Sequence, residues 1–207
     1  MPDAALALFL QSLMIGFSIA APVGPIGLLT IQRTLQLGPR AGLATGLGAA
    51  AADALYGAVG AFGVTALIDA MTAARLPLAL VGGVFLLWLA YRTWRAPVAQ
   101  QVARVRGGTD LLRCFAGTFV LTLSNPATIL SFAAVFGALA GRLTVAAPWT
   151  MVAGVLVGSA LWWLLLSSAV GQLRERFDAR LRRRVNTASA LLLAGFALWQ
   201  IAVLLPA

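Results

Sequence analysis

Long apolar runs dominate the chain, and short polar segments separate them. A helix needs about 20 mainly apolar residues to cross the hydrocarbon core of a bilayer. Six runs come close to that length or exceed it, at residues 6–31, 41–67, 76–94, 111–139, 148–170 and 188–205. The pattern therefore predicts an all-α membrane protein with six transmembrane helices.

Two of the six predicted helices contain residues that interrupt a helix. Gly24 and Pro25 lie in the first, and Ser124, Asn125 and Pro126 lie in the fourth. Proline removes a backbone donor and collides with the preceding turn. Each backbone group freed inside a membrane needs a partner in the protein or in a wet cavity. We therefore predict that helices 1 and 4 are broken at Gly-Pro and Asn-Pro and line a site. The alternative is a kinked helix with only a packing role.

Composition supports the membrane assignment and limits the chemistry. Hydrophobic residues make up 61% of the 207 residues, charged residues make up 10%, and the mean hydropathy is +0.93. Soluble domains are not so apolar. The chain has no histidine and one cysteine, Cys114. With no nucleophile–base pair, phosphate loop or metal-ligand spacing, we expect no cofactor, no bound metal and no catalytic residues.

The net charge of +9 comes from arginines that cluster on one side of the predicted helices. Thirteen of the 15 basic residues lie at the links after the first, third and fifth helices. The positive-inside rule makes these links cytoplasmic and places both termini outside. We therefore expect the arginines to set the orientation and to contact anionic lipid, rather than to bind nucleic acid.

The two halves of the chain resemble inverted copies of one three-helix unit. Gly16 and Pro25 recur as Gly117 and Pro126 at an offset of 101, and glycines of the second helix recur in the fifth at an offset of 112. Because three is odd, the second copy must be inserted upside down, as in many secondary transporters. The single transmembrane domain (1–207) then divides into a first repeat (1–97), a cytoplasmic linker (98–110) and a second repeat (111–207).

Asp53 is the only acidic residue inside a predicted helix. At 1.5 Å per residue it lies roughly 18 Å from the cytoplasmic end. A carboxylate at that depth costs about 2.5–3.5 kcal/mol on insertion scales, which indicates a functional role. It shares a face with Gly42, Gly46 and Gly57, which we predict to pack closely against another helix. The alternative is an aspartate that only binds backbone amides freed at the breaks.

The two helix breaks come to a similar depth as Asp53. Asn125 is a favoured N-cap and Pro126 suits the first helical position, and Pro25 can start a half-helix in the same way. Such helix starts attract a carboxylate, while Asp53 attracts an ammonium group, so an amino acid would satisfy both poles. Hydroxyls near the breaks are further candidates, although such groups often bond back to their own helix. The predicted substrate or ion site comprises Asp53, Gly24, Pro25, Asn125, Pro126, Ser124 and Ser131.

Four motifs follow one another along the chain. They are Pro-x-Gly-Pro at 22–25, Leu-Gly-Pro-Arg-Ala-Gly at 37–42, Asp53 ten residues before Gly63, and Leu-Ser-Asn-Pro at 123–126. On these motifs the chain resembles the LysE/RhtB family of amino-acid exporters over nearly its whole length. The resemblance implies efflux of amino acids or small related metabolites across the bacterial inner membrane, driven by an ion gradient or the membrane potential.

The branch of the family, and hence the substrate, stays open. Asp53 resembles the basic amino-acid branch, but Ile26 and Gly27 stand where that branch tends to carry Gln-Asn. Ser131 stands where it tends to carry a second Asp. We expect Asp53 to be either the coupling proton site or the anchor of a substrate ammonium. The alternatives are a cation or metal exporter of a related superfamily and a membrane-embedded enzyme or scaffold. A homodimer is left open.

Overall fold

All regular structure in the described part of the chain is α-helical, as the sequence predicts. The computed structural model describes residues 2–22, 24–62, 75–95, 108–139, 148–173 and 179–202. These residues form α1 (Pro2–Ala20), α2 (Pro25–Leu37), α3 (Pro39–Ala61), α4 (Arg75–Arg95), α5 (Gly108–Leu123), α6 (Pro126–Leu139), α7 (Pro148–Leu173) and α8 (Ala179–Ala202).

Two candidate membrane spans stand out among these helices by length and composition. Helix α7 is long and apolar enough by itself, and α1 and α2 together form the second candidate across a bend of 79°. Helix α3 has 23 residues, but it is rich in alanine and glycine, and most of its residues are buried by its neighbours. Small residues suit a helix that packs against other helices rather than lipid. The arrangement of six spans stays a prediction.

The first link of the chain is shorter than the apolar runs indicate. Helix α2 continues to Leu37 and α3 begins at Pro39, so Gly38 alone joins them. Gly38 has a φ of 105°, a conformation open to glycine at little cost. Arg33 follows the first predicted helix (6–31) and counts among the link arginines by sequence, but it lies inside α2, where its guanidinium finds partners within the protein. Residues 63–67, 98–107 and 203–205 of the predicted spans and linker lie outside the described residues.

Glycines allow the central helices to approach one another closely. Helix α7 packs on α1 and α3, and α3 also packs on α5. A Cβ atom on Gly16 of α1 would collide with the backbone of Val155 in α7. A Cβ on Gly46 of α3 would collide with Trp163, and one on Gly48 would meet the backbone of α5. Helix α3 therefore lies between α5 and α7, which places Asp53 inside the protein.

The backbone groups freed between α5 and α6 find partners. The Thr122 carbonyl accepts a hydrogen bond from the Asn125 N–H at 3.1 Å. The Leu123 carbonyl accepts one from the Tyr56 hydroxyl of α3 at 2.8 Å. The Asn125 side chain in turn accepts a hydrogen bond from the Ala127 N–H at 3.1 Å, which caps the first turn of α6. The interruption is therefore satisfied locally and tied to α3.

Candidate functional site

A cavity of about 290 Å³ lies where α2 and α6 begin, against α3 and α7. Five of the predicted site residues line it: Asp53, Gly24, Pro25, Asn125 and Ser131. Ser124 is buried but is not among the residues that line the cavity in the described part of the chain, and Pro126 is the first residue of α6. The remaining lining residues are Ile19, Ala20, Pro22, Ile26, Gly27, Ala49, Thr122, Ala127, Thr128, Trp163 and Phe196.

The Asp53 carboxylate is held at the cavity wall by a chain of two hydrogen bonds from α7. The side chain is only 3% exposed. The Ser159 hydroxyl donates to Asp53 Oδ2 at 2.7 Å, and Trp163 Nε1 donates to Ser159 Oγ at 3.2 Å. Because hydrogen bonds to a charged group are the stronger kind, Ser159 fixes the orientation of the carboxylate. A helix of the first half and a helix of the second half therefore build this part of the site together.

Two helix starts bring backbone donors to the same cavity. Helix α2 begins at Pro25 after Gly24, which makes no side-chain cap. The N–H groups of Ile26 and Gly27 belong to the first turn of α2, and that of Thr128 belongs to the first turn of α6. First-turn N–H groups have no acceptor within their own helix, and they carry the positive end of the helix dipole. The cavity thus combines a buried carboxylate with donors that suit an anionic group.

The hydroxyl groups in the wall turn back to their own helices. Thr122 donates to the carbonyl of Thr118 at 2.9 Å, and Ser131 donates to the carbonyl of Ala127 at 2.8 Å. This is the local bonding that the sequence analysis names as the alternative to a ligand role. Since each hydroxyl oxygen keeps acceptor capacity, these groups suit a ligand that donates rather than accepts.

The three glycines that share a face of α3 with Asp53 differ in how closely neighbouring helices approach them. A Cβ on Gly42 would collide with Thr34, and a Cβ on Gly46 would collide with Trp163. A Cβ on Gly57 would lie 3.4 Å from Val155, which is ordinary contact. Close packing therefore requires glycine at the first two positions but not at the third.

Ser159, Trp163 and Phe196 are absent from the predicted site. Ser159 holds Asp53, and the other two line the cavity. Ser159, Trp163 and Ser167 recur at a spacing of four, so polar groups on one face of α7 were the available signal. Among the described residues, no three His, Cys, Asp or Glu side chains come together as a metal-binding group.

Comparison with known proteins places most of the chain in one family. The sequence model described as LysE type translocator matches residues 17–202. This match covers far more than half of the chain and therefore establishes its family. No solved structure matches the chain.

Three relatives illustrate the range of names that similar proteins carry. The uncharacterized membrane protein YahN of Escherichia coli is 32% identical over 68% of the chain, and the match spans 65% of YahN. The chemotactic transduction protein ChpE of Pseudomonas aeruginosa is 28% identical over 93% of the chain and 96% of ChpE. The threonine efflux protein of Escherichia coli is 24% identical over 92% of the chain and 96% of that protein.

Proposed function

Because the chain belongs to the family of LysE type translocators, we propose that it is a secondary transporter that exports amino acids or related small metabolites. The membrane of action is the bacterial inner membrane, and the direction is out of the cytoplasm. Coupling to protons or to the membrane potential is part of the proposal. The name of the threonine efflux protein, which matches nearly the full length of the chain, supports an amino acid as substrate.

One observation carries the proposal: Asp53 and the starts of α2 and α6 line one small cavity. A substrate ammonium fits beside the Asp53 carboxylate, and a substrate carboxylate fits at the first-turn N–H groups. Cavities for drug-sized ligands measure about 300–1,000 Å³, so this one is at the small end of the range and suits a metabolite of amino-acid size.

We propose that the chain forms six spans in two inverted three-helix repeats, and the helix contacts support this. In a two-fold arrangement each contact between the halves recurs with the roles exchanged. Helix α1 packs on α7, and its counterpart α5 packs on α3. Likewise α2 contacts α7 and α8, and α6 contacts α3 and α4. A substrate site at the interface of the repeats is the arrangement found in inverted-repeat transporters.

The test is export of labelled amino acids from proteoliposomes across an imposed pH gradient, with the native chain compared with Asp53→Asn. We expect the native chain to move at least one amino acid. If Asp53 couples protons, the variant will still exchange substrate but will ignore the gradient. If Asp53 anchors the ammonium, the variant will be inactive with or without the gradient.

Asp110→Asn is the matched control for this experiment. Asp110 lies in the first turn of α5, away from the cavity, and forms an exposed ion pair with Arg113 at 3.9 Å. Exposed pairs contribute little, so this variant should transport as the native chain does. If no amino acid moves with the native chain, or if both variants behave alike, the proposed role of Asp53 in amino-acid export is wrong.

A role in chemotactic signalling is the second candidate, because the relative ChpE is named for it and matches 93% of the chain. The two functions separate in a deletion strain complemented with Asp53→Asn. Restored chemotaxis without restored export would favour signalling. Joint loss of both would favour transport as the primary function.

A further inference from the structure

Arg33 of α2 ties three helices together inside the protein. Its Nη1 donates hydrogen bonds to the hydroxyls of Thr45 in α3 and Thr118 in α5, both at 3.1 Å. The same nitrogen donates to the carbonyl of Cys114 in α5 at 2.9 Å. Both threonines are fully buried. The contact joins the first half of the chain to the second.

The Arg33 cluster lies directly beyond one end of the cavity. Thr45 precedes the cavity residue Ala49 by one turn of α3, and Thr118 precedes the cavity residue Thr122 by one turn of α5. Along both helices the cluster lies toward the end where α3 and α5 begin. Arg40 of α3 and Arg113 of α5 lie near these helix starts, and the proposed topology places this end at the cytoplasm. A substrate that reaches the cavity from the cytoplasm between α2, α3 and α5 must pass Arg33.

The acceptors of Arg33 are neutral, so its charge lacks an anionic partner among the described residues. Asp53 and Asp110 are the two carboxylates whose side chains the structure describes, and neither lies within 4.0 Å of Arg33: Asp53 accepts from Ser159, and Asp110 pairs with Arg113. There is also room beside the guanidinium. Among the described residues, a Cβ atom built on Gly117 would meet Arg33 Nη2 alone, at 3.9 Å. A small anionic group pairs better with this half-buried cation than a neutral acceptor does.

We propose that Arg33 latches a cytoplasmic gate and that the carboxylate of the incoming substrate releases the latch. The inference rests on the proposed export function and adds a residue outside the cavity to it. Hydrogen bonds between guanidinium and carboxylate are roughly twice as strong as those to neutral acceptors. A carboxylate therefore draws Arg33 away from Thr45, Thr118 and Cys114 and separates α2 and α3 from α5. Because the carboxylate prefers the open state, its binding shifts the equilibrium toward that state.

The test measures access to the cavity from the cytoplasmic side. The single cysteine is replaced by Cys114→Ala, which keeps the carbonyl that Arg33 binds, and Ala127→Cys supplies a thiol in the cavity wall. Inside-out vesicles are treated with a membrane-impermeant methanethiosulfonate, and the labelling rate is measured. The compared backgrounds are native Arg33, Arg33→Gln, Thr118→Val and, as the matched control, Arg40→Gln. Arg40 is exposed in the first turn of α3.

Without substrate, we expect Arg33→Gln to label about tenfold faster than native Arg33, as the loss of one or two net hydrogen bonds predicts. Thr118→Val keeps the charge and removes one acceptor, so it should label faster by a smaller factor. In the native background a transported amino acid should accelerate labelling, and the amine that lacks its carboxylate should not. Arg40→Gln should match the native background throughout.

Two results would overturn the latch: native labelling rates in both Arg33→Gln and Thr118→Val, or equal acceleration by the amino acid and its decarboxylated amine. Exchange of labelled amino acids in the same vesicles separates this failure from failure of the proposed function. If native vesicles exchange amino acids while all labelling rates agree, only the Arg33 inference fails. If no amino acid is exchanged, the export proposal fails, and the substrate-free rates still decide whether Arg33 closes the passage.

Discussion

The orientation of the Asp53 carboxylate depends on a side chain that is distant in sequence. Its carboxylate accepts a hydrogen bond from Ser159, which lies in α7 and itself accepts one from Trp163. The same helix carries Ser167, a buried hydroxyl with no hydrogen-bond partner among the described residues. The two serines therefore form a matched pair: one holds the proposed site, and the other does not.

We predict that Ser159→Ala raises the KM for amino-acid exchange about tenfold, while Ser167→Ala leaves it within about twofold. A hydrogen bond to a charged group contributes roughly 1.5–3 kcal/mol, and about 1.4 kcal/mol is tenfold. Removal of an unpaired hydroxyl costs little by comparison. Initial rates in proteoliposomes measure both values. Equal changes in the two variants would mean that Ser159 does not act through Asp53.

At the scale of elements, the start of α6 relies on one side chain. Asn125 Oδ1 accepts from the Ala127 N–H, and the Asn125 carbonyl accepts from the Ile129 N–H at 3.1 Å. Helix α2 begins differently, because its N-cap residue, Gly24, has no side chain that could cap the helix. The two proposed half-helices are therefore not equivalent, and only the start of α6 offers a side chain whose removal tests the cap.

Asn125→Ala should lower the apparent melting temperature in detergent by about 2–4 °C, because loss of an N-cap costs about 1 kcal/mol in a chain of this size. Asn125→Ser keeps a capping oxygen and should melt close to the native chain. Differential scanning fluorimetry compares the three proteins. Equal melting of the alanine and serine variants would show that the cap contributes nothing to the start of α6.

The packing of α3 on α7 gives a second element-scale prediction. Gly46→Ala places a methyl group against Trp163 and should cost about 1–3 kcal/mol, as overpacking does. Gly57→Ala meets Val155 at ordinary contact distance and should change stability little. Because Trp163 bonds Ser159, Gly46→Ala should also reduce exchange. Thermal melting and exchange rates of the two variants check this, and a tolerated Gly46→Ala would contradict the packing.

At the scale of the whole molecule, the distribution of arginine predicts the orientation. Thirteen of the 15 basic residues lie at links after odd-numbered predicted helices. The reciprocal contacts of α1 with α7 and of α3 with α5 are those expected if the proposed repeats are related by a two-fold axis. The contacts agree with the proposed six spans, and the arginine distribution predicts that both termini lie outside the cytoplasm.

Reporter fusions test that topology. Alkaline phosphatase fused after residue 207 should be active, and green fluorescent protein at the same position should be dark, because the C-terminus is predicted to lie in the periplasm. Fusions after residue 100 should give the opposite result. A fluorescent C-terminal fusion would exclude an even number of spans with outside termini, while leaving the family membership untouched.

The sequence alone determined the helical membrane class and the family, and it singled out Asp53 as a candidate site residue. A helix surrounded by lipid must be long and apolar whichever helices it contacts. The length and composition of the apolar runs therefore identify a membrane protein without knowledge of its contacts. A lone carboxylate in an apolar run is costly wherever it packs, so it marks a candidate site. The prolines and Asn125 are local signals in the same sense, because helix starts depend on neighbouring residues.

Only the tertiary structure decided the partners of these residues. Ser159 lies 106 positions from Asp53, and the spacing of polar residues along α7 marks a polar face without showing which residue that face binds. By sequence, Arg33 is assigned to a link because its charge lowers the local hydropathy and ends the predicted helix. Its place inside α2 became clear from acceptors in α3 and α5, up to 85 positions away. Such long-range partners depend on which helix faces meet, and packing alone determines that.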